Sequence, residues 1–167
     1  MQDLQVVDNF FDDLDFILQQ ANKQNYFTSE QLSYNIGSFQ NWPGLRTANL
    51  ILNPTLYDYL NNIIYKKFTI DIKPKEFPLS FHKRGFQDQS KDWIHKDPSE
   101  YAFIAYLSET NLNSGTAFFD EKNNKSLTVN FVQNRALLFK GSMKHRSLLN
   151  YGEGKDIRLT LNGFIFT

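Results

Sequence analysis

The chain has 167 residues, 41% of them hydrophobic and 16% aromatic, including 16 Phe, which is enough apolar volume to close one core and argues against disorder. Lys plus Arg and Asp plus Glu both total 18, so the formal net charge is zero; a protein that coats nucleic acid or an anionic membrane needs clustered positive charge, and both are disfavoured as partners. The absence of cysteine excludes disulfides, thiolate zinc sites and cysteine nucleophiles. Met1 to Leu4 shows no basic leader region and nothing downstream reads as a membrane span, so a soluble, cytoplasmic protein is expected.

In chain order, the first third reads helical. Phe10, Phe11, Leu14, Ile17 and Leu18 recur at spacings of three and four, predicting an amphipathic helix over Asp8 to Gln24. Thr28-Ser-Glu-Gln31 has capping-box spacing and opens a short turn or helix. Asn35 to Thr47 is irregular, with Gly37, Pro43 and Gly44. Asn53-Pro54 starts a second helix, with Leu56, Leu60, Ile63 and Ile64 as its apolar stripe and an end near Lys66 or Lys67. From Phe68 the period changes. Phe68-Thr-Ile-Asp-Ile72 alternates, and strands are predicted over Phe77 to Phe86, Tyr101 to Leu107, Thr116 to Phe119, Ser126 to Val132, Arg135 to Lys140 and Asp156 to Phe166. Turn signals fall at Asn111 to Gly115, Glu121 to Lys125, Gly141-Ser142 and Tyr151 to Gly154. Helices followed by short strands predict a mainly β fold with helices packed outside a sandwich or open barrel. One domain is expected over 1–167, helical to about residue 67 and β-rich from about residue 68.

Only three histidines can supply imidazole chemistry: His82, His95 and His145. His95-Lys96-Asp97 puts an imidazole and a carboxylate on one side of an extended backbone, where they can share a metal ion. His145 follows 48 residues later (145 − 97), after a strand and the Gly141 turn. Two histidines and one carboxylate occupy one face of an octahedral iron(II) and leave three positions free. Arg158, 13 residues beyond His145 (158 − 145), lies with Thr160 on the polar face of the last strand. An arginine there can bind a carboxylate bidentately while the threonine adds a hydrogen bond.

Six stretches run in order: Trp93-Ile-His95-Lys-Asp97, Tyr101-Ala-Phe-Ile-Ala-Tyr106-Leu107, Ser114-Gly115-Thr-Ala-Phe118-Phe119, Asn134-Arg-Ala-Leu-Leu-Phe139, Gly141-Ser-Met-Lys-His145-Arg-Ser147 and Arg158-Leu-Thr160-Leu-Asn-Gly-Phe164. Together they resemble the 2-oxoglutarate and iron(II)-dependent dioxygenases, nearest to the prolyl 4-hydroxylase-like branch, over the chain from Phe77 onward. Val6-Val-Asp-Asn-Phe-Phe11 is similar to the entry helix of that branch. The resemblance implies a double-stranded β-helix (jelly-roll, cupin-like) core and a hydroxylase with Fe(2+), 2-oxoglutarate as co-substrate and O2. It implies His95, Asp97 and His145 as iron ligands, Arg158 on the distal carboxylate of 2-oxoglutarate, and Thr160 and Tyr106 as helpers. Several members of the prolyl hydroxylase branch carry lysine where this chain has Arg158. The implied substrate is a protein or peptide side chain such as proline, or a small molecule.

Other readings stand beside these. Arg158, Thr160 and Asn162 could be the solvent side of an edge strand, and Tyr106 a plain core aromatic. His82 reads as structural or rim, Arg146 as facing solvent or an acidic neighbour, and Lys83-Arg84 as a solvated edge or a pocket mouth. The loop Asn41-Trp42-Pro43-Gly44-Leu45-Arg46-Thr47 reads as a core plug before it reads as a substrate grip. A non-catalytic jelly-roll binding a ligand or partner, and a cupin-like metal enzyme that does not use 2-oxoglutarate, are the alternatives.

Overall fold

The computed structural model describes residues 3–36, 42–148, 151 and 156–167; Gly37, Asn41 and the turn residues 152–154 lie outside them. Three helices, α1 (Leu14–Asn22), α2 (Ser29–Ile36) and α3 (Pro54–Lys67), precede most of the strands. The strands are β1 (Leu4–Val7), β2 (Tyr26–Phe27), β3 (Leu45–Thr47), β4 (Leu79–Gly85), β5 (Tyr101–Tyr106), β6 (Asn111–Phe119), β7 (Lys125–Phe131), β8 (Ala136–Lys140), β9 (Lys144–Leu148) and β10 (Ile157–Ile165). They form a seven-stranded sheet, β1-β8-β5-β10-β4-β3-β2, and a three-stranded sheet, β7-β6-β9, with every pairing antiparallel. This is the expected jelly-roll with helices outside.

Alternation along the strands explains why two cores exist. On β5, Tyr101, Phe103 and Ala105 join the helix-side core with Ile17 of α1 and Leu56, Leu60 and Ile64 of α3. Ala102 and Tyr106 point the other way and pack with Phe118, Val129, Phe131, Leu137 and Phe139 between the two sheets. The α3 stripe repeats every four residues, so each member faces the sheet, and each buried side chain contributes roughly 1.5–3 kcal/mol. Among the described residues no helix is long and apolar enough to cross a membrane.

Local signals set several boundaries. Asn53 caps α3 by accepting from Leu56 N, with Pro54 opening the helix, as expected. Thr28 and Gln31 exchange the two bonds of a capping box, Gln31 N to Thr28 Oγ1 at 3.2 Å and Thr28 N to Gln31 Oε1 at 2.8 Å, at the start of α2.

The first helix is shorter than its apolar spacing predicts. It starts at Leu14 behind the cap Asp13, and Val6 to Phe11 is strand and loop rather than an entry helix. Asn9 has φ 50°, incompatible with helix continuation, and Asn134 clamps Phe11 by accepting from its N–H and donating to its carbonyl, both at 2.8 Å. Phe10 and Phe11 are therefore buried anchors held by a distant turn. Phe68 to Ile72 alternates but pairs with no strand; the side chain of Gln5 caps both polar groups of Thr69 instead. Asn111 to Gly115 is no turn: it is the irregular start of β6, with a register shift between those two residues.

Candidate metal centre

The segment carrying His95 and Asp97 runs beside β9 through one antiparallel bridge, His95 to His145, closed by backbone hydrogen bonds of 3.0 and 2.9 Å. It takes the place of a fourth strand on the small sheet. Directly opposite residues of an antiparallel pair share a face, so the bridge delivers both imidazoles together, with ring centroids 4.5 Å apart. Two residues on, Asp97 N donates to Gly141 O at 2.8 Å and Gly141 N to Glu100 O at 3.0 Å, tying the turn after the carboxylate to the turn before β9.

One ligand atom from each of His95, Asp97 and His145 lies within 4.8 Å of the others. Asp97 Oδ1 is 3.8 Å from His95 Nε2, and Asp97 Oδ2 is 3.4 Å from His145 Nε2. Each histidine turns its Nδ1 to the backbone carbonyl two residues earlier, His95 to Trp93 O at 2.9 Å and His145 to Met143 O at 2.8 Å. A ring nitrogen donating to a carbonyl fixes the tautomer and leaves the Nε2 lone pair free for a metal. Phe139 packs edge-on against His145 at 4.7 Å and holds the ring from behind. This donor set suits a divalent transition metal with coordination positions left open.

The three side chains open into a cavity of about 390 Å3, within the range of small-ligand sites, that also reaches Arg158 and Arg46. Arg158 and Thr160 are not on a solvent face. β10 is central, between β5 and β4, and both side chains are buried between the sheets. The Arg158 guanidinium sits 5.7, 5.4 and 5.7 Å from the ring centres of Tyr106, Phe131 and Tyr151. Its Nε and Thr160 Oγ1 are buried with no hydrogen-bond partner, and no carboxylate pairs with Arg158 among the described residues. Burial lowers the Arg158 pKa. A buried, unpaired guanidinium is costly unless something anionic joins it.

Tyr106, fully buried, donates its hydroxyl to Thr116 Oγ1 at 2.8 Å, with Val129 O at 3.3 Å, and burial raises its pKa. It is thus a sheet-to-sheet tie as well as a ring beside Arg158. His82 is structural: its Nε2 meets Pro43 O at 2.7 Å, and burial, with Arg46 next, pushes its pKa well below 6.5. The Lys83-Arg84 pair is split by alternation. Lys83 stacks on Tyr26 at 3.8 Å, whereas Arg84 is buried and pairs with Asp92 at 2.8 Å. Arg146 lies over the Phe119 ring at 5.6 Å.

Sequence reasoning missed Asp92, and it placed Arg46 only within the 41–47 loop without a role of its own. Asp92 also accepts from Ser147 N at 3.0 Å, locking the approach to His95 onto β9. Burial raises its pKa, but Arg84 and the Ser147 donors outweigh that and hold it below the usual carboxylate range. Arg46 is on β3, opposite His82 of β4, which is itself opposite Thr160 of β10. One inward row thus runs Tyr106, Thr160, His82, Arg46 across four strands. The parity of His82 and Arg84 within β4 was the available signal for that face. Trp42 is no core plug: half-buried, it lines the cavity wall beside Arg46.

No protein-family model matches the chain, and no curated protein sequence matches it. Solved structures do match. A prolyl-4-hydroxylase from Pseudomonas putida superposes with a TM-score of 0.63 at 14% identity, covering 100% of this chain and 94% of that one. HygX from Streptomyces hygroscopicus, solved with nickel, 2-oxoglutarate and hygromycin B bound, gives 0.65 at 12% identity over 99% and 83%. A prolyl hydroxylase from Trichoplax adhaerens, in complex with a hypoxia inducible factor peptide fragment, gives 0.57 at 9% over 98% and 83%. The chain has the double-stranded β-helix fold that these prolyl hydroxylases and 2-oxoglutarate-binding proteins share.

Proposed function

We propose that this chain is an iron(II)- and 2-oxoglutarate-dependent dioxygenase that hydroxylates its substrate. The observation that carries the reading is one cavity with two ends: the converging Nε2 and carboxylate atoms of His95, Asp97 and His145 at one, and a buried Arg158 with no anionic partner among the described residues at the other. Iron(II), 2-oxoglutarate and O2 together supply oxidative decarboxylation to succinate and CO2, coupled to insertion of oxygen into a substrate C–H bond. His95, Asp97 and His145 would hold the iron, with the carbonyls of Trp93 and Met143 keeping the two rings in the metal-binding tautomer. Arg158 would take the distal carboxylate of 2-oxoglutarate bidentately, and Thr160 would donate its unpartnered hydroxyl to the same group. Low dielectric around Arg158, set by Tyr106, Phe131 and Tyr151, strengthens that pairing. The neighbours crystallised with 2-oxoglutarate, with a peptide and with hygromycin B support the co-substrate and leave both protein and small-molecule substrates open.

The test is succinate formation from labelled 2-oxoglutarate by protein purified without oxygen and supplied with iron(II). Slow uncoupled turnover that requires both iron and O2 is expected. No metal binding, or metal binding with no affinity for 2-oxoglutarate, overturns the reading.

Two substitutions resolve the anion end. Arg158→Ala removes a charge-assisted pair worth roughly 1.5–3 kcal/mol, so 2-oxoglutarate affinity should fall about 10- to 150-fold while metal affinity stays. Calorimetric titration of the zinc-loaded protein checks it; equal affinity in mutant and wild type removes Arg158 from the site. Tyr106→Phe keeps the ring beside Arg158 and loses the hydroxyl bonded to Thr116. A several-fold weaker 2-oxoglutarate affinity is expected, smaller than the Arg158 effect and non-additive with it if both residues serve one carboxylate. An unchanged affinity leaves Tyr106 only its tie between the sheets.

A further inference from the structure

Among the described residues, three guanidinium groups, Arg46, Arg84 and Arg158, line the cavity against two carboxylates, Asp92 and Asp97. Arg84 is neutralised by Asp92 at 2.8 Å. On the proposed oxygenase reading, Asp97 and the chelating carboxylate of 2-oxoglutarate together balance iron(II), and the distal carboxylate balances Arg158. Arg46 remains, carrying one positive charge. His82 beside it adds none, because burial keeps the imidazole neutral. Burial pulls the Arg46 pKa down to about 10, so it stays charged at neutral pH.

Arg46 is held by a built structure. Its guanidinium carbon lies 4.7 Å from the Trp42 ring centre, and its Nε is buried without a hydrogen-bond partner. The Trp42-Pro43-Gly44 turn beneath it is fixed: Pro43 O is 2.7 Å from His82 Nε2. Gly44, at φ +81°, lies so close to β4 that a Cβ would fall 2.3 Å from Lys83 O. Two strand spacings of about 4.8 Å separate the β3 backbone at Arg46 from β10 at Thr160, so Arg46 stands on the order of 10 Å across the cavity from the co-substrate end.

We infer that Arg46, stacked on Trp42, anchors the carboxylate of the substrate to be oxidised, which is a small carboxylic acid or amino acid held by a single negative charge. The inference rests on the oxygenase reading, which accounts for the other two arginines. A monoanion matches the one charge left over better than a phosphate dianion does. The roughly 390 Å3 available suits a small molecule beside 2-oxoglutarate rather than a folded partner.

The chain has two tryptophans, Trp42 and Trp93, and both line this cavity, so their fluorescence reports what enters it. Zinc-loaded protein, saturated with 2-oxoglutarate as verified by calorimetry, is titrated with butyrate, butyramide and inorganic phosphate. Butyrate should saturate the signal with an affinity at least about 10-fold above that of butyramide, the range of one charge-assisted contact, and above that of phosphate. In Arg46→Gln that preference should collapse to about one, with 2-oxoglutarate affinity unchanged. Equal affinities in the wild type, a preference for phosphate, or a butyrate preference that survives in Arg46→Gln each overturn the inference and leave the oxygenase reading standing. Failure of the wild type to bind zinc and 2-oxoglutarate at all overturns the reading, and the inference falls with it. If Arg46→Gln does not fold, Arg46→Lys serves: it keeps the charge and loses the planar fork, so the preference should drop several-fold, and an unchanged preference counts against the inference.

Discussion

Asp97→Ala is expected to abolish stoichiometric metal binding, with affinity for iron(II) or a substitute such as Mn, Co, Ni or Zn reduced more than about 100-fold. Removing a group that only orients a ligand typically costs 10- to 100-fold in metal affinity, and Asp97 is itself the anionic ligand. Two neutral imidazoles then remain, with no charge to offset the dication. Without the carboxylate the site has fewer donors and a poorer match to a hard divalent ion. The fold should survive, because the side chain packs beside His95 and His145 at 3.8 and 3.4 Å and holds no strand in place, whereas its backbone N–H holds Gly141 and is untouched by the change. Metal content after gel filtration, with far-ultraviolet circular dichroism as the folding control, is the measurement. A folded mutant that retains one tightly bound metal per chain would show that the cluster is not the metal site, and succinate formation would then have to arise elsewhere.

The clustering of His95, Asp97 and His145 was legible because the information is local and ordered: His95 and Asp97 are two apart on extended backbone, and His145 follows a strand and a tight turn. What the sequence could not display is which face of β10 meets water. Alternation separates Arg158, Thr160 and Asn162 from Leu159 and Leu161 whether the strand is central or at an edge. Only the pairing with β4 on one side and β5 on the other buries Arg158 and Thr160. The N-terminal misreading has the opposite cause. Phe10 and Phe11 fit a helical stripe with Leu14, Ile17 and Leu18, but the chain turns at Asn9 and is clamped by Asn134, 123 residues away from Phe11. No local pattern encodes a contact of that range. Strands of two to four residues, β1, β2 and β3, suffer similarly, since each exists only through its partner. Arg46 was hidden by the same shortness: three residues are too few to show a period, and the inward direction of Arg46 follows from its register with His82.

Gly141→Ala should couple the fold to the candidate metal site more directly than any substitution of His95, Asp97 or His145. A Cβ at residue 141 would fall 2.0 Å from Ser99 O and 3.0 Å from Asp97 O, and both obstacles are backbone. A flexible side chain could swing aside, but a carbonyl moves only with its peptide plane, so the 97–100 turn must shift away from the start of β9. That shift stretches the Asp97 N to Gly141 O bond at 2.8 Å and the Gly141 N to Glu100 O bond at 3.0 Å, which set the carboxylate against the two imidazoles. Overpacking of this kind costs typically 1–3 kcal/mol and more when backbone must yield, so a loss of about 3 kcal/mol is expected, together with a metal affinity at least about 10-fold weaker. Two signatures distinguish this from a general loss of folding. Thermal melts should show a single cooperative transition at lower Tm, and metal binding should weaken even well below that transition, where the chain is folded. Ser142→Ala, one residue along on the exposed side of the same turn, is the control and should leave both unchanged. Wild-type metal affinity in folded Gly141→Ala would mean that the turn can move without moving Asp97, and that the close approach at Gly141 serves packing alone.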